Sequence, residues 1–157
     1  MKFEKGTYYI WVGGSCDYAH KERAGGGAYI AELNGLIIDK FTIAEFETTE
    51  FRMMLKAMIH AMEKIAESFT SSTQIEFLSN VQYLQNFDKI PATSGDSNTA
   101  NKDLIEKCIA LKNKLQSNPT PIQVTIRILP YHKFSQQAEV HQMASDAMRE
   151  LRQSNER

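Results

Sequence analysis

Apolar and polar positions alternate early in the chain. Tyr8, Ile10 and Val12 interleave with Tyr9 and Trp11, a mostly apolar run that predicts a strand buried on both faces over Tyr8–Val12. Gly13-Gly14-Ser15 then reads as a tight turn. A glycine run, Gly25-Gly26-Gly27, follows, and then a second strand, Ala28–Leu33. Asn34-Gly35 is a strong short hairpin signal, and Leu36–Ile43 is the return strand. The period then changes. Phe51, Leu55, Met58, Met62 and Ile65 mark one face of an amphipathic helix, which Thr48 or Thr49 can cap. Met53, Met54, Met58 and Met62 read as flexible core filling.

Further along, Gln74–Leu78 is a short strand, and Ser79-Asn80 turns it into a second helix around Val81–Leu84. Pro91 to Ala100 is small and polar and reads as a surface loop. A third helix runs from Asn101 to Gln116, with Leu104, Ile105, Cys108, Leu111 and Leu115 on one side. Ile122–Ile128 alternates strictly and is a strand. Pro130–Gln137 reads as a loop, and Val140, Met143, Ala144, Ala147, Met148 and Leu151 line the last helix. The predicted order is β-β-β-α-β-α-α-β-α, a mixed sheet with helices packed on it.

Composition narrows this picture only slightly. The 157 residues fit one domain with a real core, and the formal net charge of −1 supplies no global basic field for nucleic acid. Nothing resembles a membrane span or a secretion signal, so the default expectation is a cytoplasmic protein. Cys16 and Cys108 match no C-x-x-C motif and read as unpaired thiols.

Several local motifs, in order, resemble those of the ribonuclease H family. Gly13-Gly14-Ser15-Cys16 stands where that family ends its first strand in Asp-Gly-Ser. Thr48-Thr49-Glu50-Phe51-Arg52-Met53-Met54-Leu55 matches its Thr-Thr-Asn-Asn-Arg-Met-Glu-Leu helix. Leu78-Ser79-Asn80-Val81-Gln82-Tyr83-Leu84 resembles its Ser-Thr-Asp-Ser-Gln-Tyr-Val. Ala144-Ser145 sits where its last helix carries Ala-Asp or Cys-Asp. The likeness spans roughly Thr7 to Leu151. It implies a single ribonuclease H-like α/β domain over residues 1–157, with a five-stranded mixed sheet flanked by helices.

The resemblance also implies a chemistry that this chain lacks the residues for. Enzymes of that family cut the RNA strand of an RNA–DNA hybrid, using two divalent ions held by a carboxylate cluster. The four matching positions here are Gly13, Met54, Asn80 and Ser145, and none is an acid. Magnesium needs oxygen ligands, and a methionine thioether does not suit it. The expectation is therefore no catalytic residue, no bound metal, no cofactor and no hydrolase activity. A one-residue shift would substitute Asp146 for Ser145, but it would place Arg149 on the buried side of the helix. An active enzyme with a relocated metal site would have to draw on Asp17, Asp146 or Glu47. His20, His60 and His141 form no recognisable metal-ligand spacing.

Other matched positions touch the nucleic-acid backbone in the family. Gly14, Ser15, Thr49 and Gln82 are the candidates, with His132 in the loop before the last helix. Glu50 stands where the family has an asparagine, and its charge would repel a phosphate. Lys102, Lys107, Lys112 and Lys114 make the third helix somewhat basic, with Asp103 and Glu106 interspersed. Two roles compete on this basis. In one, an inactive domain still binds RNA, DNA or an RNA–DNA hybrid. In the other, a protein partner is bound and the groove is closed by Met54, Phe51 and their neighbours.

Overall fold

The structure is a computed structural model. It describes residues 3–68, 74–85, 95–117, 119–130 and 133–156, without the side chains of Tyr83, residues 95–100 or Glu156. His132 and residues 91–94 of the expected polar loop lie outside the described residues.

Five strands form one mixed sheet: β1 (Thr7–Cys16), β2 (Ala24–Leu33), β3 (Leu36–Phe46), β4 (Gln74–Ser79) and β5 (Gln123–Ile128). Their spatial order is β3-β2-β1-β4-β5. The β1–β2 and β2–β3 pairs are antiparallel, whereas β1–β4 and β4–β5 are parallel. Helices α1 (Glu50–Glu67) and α2 (Gly95–Gln116) cover one face, and α3 (Ser135–Glu156) covers the other. With both faces covered, β1 is buried from Thr7 to Gly14, as its apolar run requires.

The sequence signals hold where they are local. Asn34 and Gly35 both take positive φ, 53° and 80°, which is the backbone that a two-residue hairpin turn needs. The Thr49 hydroxyl accepts from Arg52 N at 3.2 Å and caps α1, while Thr48 is buried. All four methionines of α1 named above are buried.

Four boundaries differ. Gly13-Gly14-Ser15 is not a turn. It continues β1, opposite Ala28, Gly27 and Gly26 of β2, and the chain turns only at 17–23. Glycine serves close packing here. A Cβ on Gly26 would lie 2.0 Å from the Ala144 carbonyl oxygen, and one on Gly27 would lie 2.4 Å from that of Met53. The sheet is thinned on both faces so that α1 and α3 can approach. The expected helix around Val81–Leu84 is a 3-10 turn, Gln82–Leu84. Helix α2 begins at Gly95 rather than Asn101, because small polar residues suit the first turns of an exposed helix as well as a loop. Helix α3 begins at Ser135, inside the expected loop Pro130–Gln137. Gln137 fixes that start: its Oε1 accepts from Phe134 N at 2.9 Å, and its Nε2 donates to the Pro130 carbonyl at 3.1 Å.

Candidate functional site

β1 and β4 lie side by side and parallel, yet the chain leaves them in opposite directions. β1 returns through β2, and β4 leads through α2 to β5. Such a switch point leaves a crevice beyond the carboxyl ends of the strands. A cavity of about 390 Å³ lies there, walled by the ends of β1 and β4 and the first turns of α1 and α3. Its buried lining includes Trp11, Gly13, Met54 and Leu78. Ala138, His141 and Gln142 are its exposed lining.

Three of the four positions matched to the family's acids in sequence, Gly13, Met54 and Asn80, meet at this cavity. Ser145 does not line it. Its hydroxyl donates to the Ser15 hydroxyl at 3.1 Å, between α3 and β1. The α3 groups facing the cavity come one turn earlier, and His141 is the titratable one. The orientation of α3 about its axis is as expected from its pattern: Ala144 is fully buried, and Asp146 and Arg149 are exposed.

Glu50 is the carboxylate at the site. Burial pushes its carboxyl above the ordinary range, and the His141 charge pulls it partly back. Trp11 adds a second unusual group. It is 0% exposed and borders the cavity, and its indole N–H has no acceptor among the described residues.

The remaining candidates are more dispersed. Gly14 lines the cavity, and a Cβ there would meet the Met54 side chain at 2.6 Å. The Ser15 hydroxyl contacts Ser145 and lies 3.9 Å from the Met148 sulfur, so its side chain faces α3. Thr49 caps α1, and Gln82 is exposed on the 3-10 turn. The acids proposed for a relocated metal site do not gather. Asp17 is held 2.9 Å from His20 and 3.3 Å from Arg152, Asp146 accepts from Gln142 at 2.8 Å, and Glu47 is exposed at the turn before α1. None of the three lines the cavity. Phe51 packs against the core beside α1, and a cavity is present where one of the two readings has Phe51, Met54 and their neighbours close the groove.

The donor set does not fit two magnesium ions. One carboxylate, one imidazole and otherwise neutral amides and a hydroxyl supply too little negative charge. Among the described residues, no group of three or more His, Cys, Asp or Glu could hold a metal ion. Of the α2 lysines named above, Lys102 and Lys107 are paired, and one acid of α2 is taken by α1. Lys107 pairs with Glu63 at 3.2 Å, Lys102 with Glu106 at 3.8 Å, and Asp103 takes both guanidinium nitrogens of Arg52 at 3.1 Å.

The strand order, the helices on both faces and the cavity at the β1–β4 switch point define a ribonuclease H-like fold. Solved structures agree. The N-terminal RNase H domain of Rv2228c from Mycobacterium tuberculosis superposes with a TM-score of 0.69 at 12% identity, covering 95% of this chain and 98% of that one. LC11-RNase H1 in complex with an RNA/DNA hybrid gives 0.71 at 14%, covering 92% and 98%. RNase H1 from the halophilic archaeon Halobacterium salinarum gives 0.62 at 17%, again covering 92% and 98%. No family model and no curated protein matches the sequence. This chain therefore has the ribonuclease H fold. Among the described residues, no helix is long and apolar enough to cross a membrane.

Proposed function

We propose that this domain binds RNA, DNA or an RNA–DNA hybrid across the face that holds the cavity, without metal-dependent hydrolysis. The observation that carries this reading is an accessible cavity at the switch point whose walls offer Gly13, Met54, Asn80 and His141 in place of a carboxylate cluster. The similarity to LC11-RNase H1, solved with an RNA/DNA hybrid, supports nucleic acid as the ligand class. Hydrolysis by two metal ions needs charge that these walls do not supply.

The test is a titration of labelled hybrid, duplex DNA, duplex RNA and single strands at low salt, with magnesium, manganese or chelator. Binding is expected to be insensitive to chelator and to weaken as salt rises, with a log–log slope of about −2 to −4. No strand should be cut. Metal-dependent cleavage that survives repurification would overturn the inactive part of the reading, and the absence of any binding would overturn the rest.

One observation favours a protein partner instead. Leu36, Ile37 and Ile38 are exposed side by side on β3, the edge strand, at 69%, 51% and 49%. An apolar cluster on an unpaired edge is a common site for protein association. A protein that fails to bind any nucleic acid, yet runs as a stable oligomer or co-purifies with a defined partner, would favour this account.

A further inference from the structure

The volume and walls of the cavity say more about its ligand than the fold does. About 390 Å³ lies within the range of small-molecule sites. Val12, Met54, Leu78 and Val140 make much of the wall apolar. Glu50, Ser79, Asn80, Gln137, His141 and Gln142 supply its polar groups, and Trp11 borders the same space. A phosphate suits this poorly, because the Glu50 carboxylate faces the space. A flat, uncharged heterocycle suits it well. Its faces can lie against the apolar wall, and its N–H groups can donate to Glu50.

We infer that the cavity takes one nucleobase, unpaired or extruded from its stack, with Glu50 accepting from its N–H edge. Guanine is the best match, because it presents two adjacent N–H donors to one carboxylate. Taking a base out of a duplex costs stacking and pairing, so a single strand or an already unpaired site is the favoured source. This inference rests on the proposed nucleic-acid role and names what that site would read.

Trp11 is the single tryptophan of the chain, so its fluorescence reports on the cavity directly. We would titrate the full chain with guanosine, adenosine, cytidine and uridine, with inorganic phosphate and ribose 5-phosphate as controls. The expected result is a saturable change with guanosine, tighter than with the other nucleosides, and none with either control. Glu50→Gln should weaken guanosine by about tenfold or more. Ala138→Phe, a change at an exposed position of the lining, should abolish the response by blocking the mouth without disturbing the core. A response to phosphate alone, or one that neither variant alters, would overturn the inference. If single strands bind but no nucleoside changes the signal, the inference fails and the proposed function stands. If neither strands nor nucleosides bind, both fail.

Discussion

Glu50 shows what the fold adds to a side chain read from sequence. In the motif it is a charge that would repel a phosphate, and in the fold it is the carboxyl of the cavity wall. Burial raises its folded pKa above the unfolded value, opposed by His141, the titratable group facing it. A raised carboxyl contributes its full stability below the ordinary Glu range and loses it as pH rises through the folded value. Glu50→Gln should therefore melt about 1–3 °C higher than the parent at neutral pH, and the difference should close below about pH 4. Melts of both proteins at the two pH values check this. A difference that does not depend on pH would mean that desolvation of the charge is not its cause. Two other residues repeat the lesson. His141 lies one helical turn before Ser145, and the sequence motif pointed to the later residue. The Ser15 hydroxyl, offered above as a phosphate contact, is in contact with α3.

At the level of elements, the decisive feature is the thin middle of the sheet. Gly13 and Gly14 of β1 pair with Ala28 and Gly27 of β2, and α1 and α3 approach from opposite sides. The room left at each glycine differs. A Cβ on Gly26 would lie 2.0 Å from a backbone oxygen of α3, which cannot move without displacing the helix. On Gly13 the nearest atoms, the backbone of Val140, are at 3.0 Å. Gly26→Ala should consequently cost about 3 kcal/mol or more, and Gly13→Ala about 1 kcal/mol. Denaturant unfolding of the two variants measures the order, and equal losses would contradict the close approach of α3. The hairpin and the α1 cap were legible in the sequence because each is decided within four residues: Asn34-Gly35 by backbone sign, and Thr49 by its reach to Arg52 N.

At the scale of the molecule, the site is defined by which chain segments converge. Gly13, Glu50, Met54, Asn80 and His141 come from β1, α1, the end of β4 and α3. If that convergence is right, carboxylates placed on it should cooperate. Met54→Glu combined with Asn80→Asp would add two acids beside Glu50. The variant should melt below the parent in chelator, because a buried carboxylate at position 54 is left unpaired. Millimolar manganese should then raise its melting temperature by several degrees while leaving the parent unchanged. Thermal melts with and without the metal decide the matter. No metal-dependent rise would mean that positions 50, 54 and 80 do not share a site. The charge balance also belongs to this scale. The lysines that make α2 look basic in sequence are partly spoken for, with Lys107 reaching Glu63 of α1.

The sequence by itself determined the types and order of most elements, the hairpin, the α1 cap and the face that each long helix buries. Those features follow from the spacing of apolar residues and from backbone preferences that act over a few positions. Through resemblance it also gave the expectation that Gly13, Met54, Asn80 and Ser145 stand where the family carries acids. The tertiary structure decided that β1 runs on through its glycines, because glycines of β2 lie opposite and both helices need the space. It decided that His141 and Glu50 face the cavity and that Ser145 meets Ser15, 130 residues away. Contacts between distant segments depend on where each helix starts and how closely it approaches the sheet, and no local pattern in the chain encodes either.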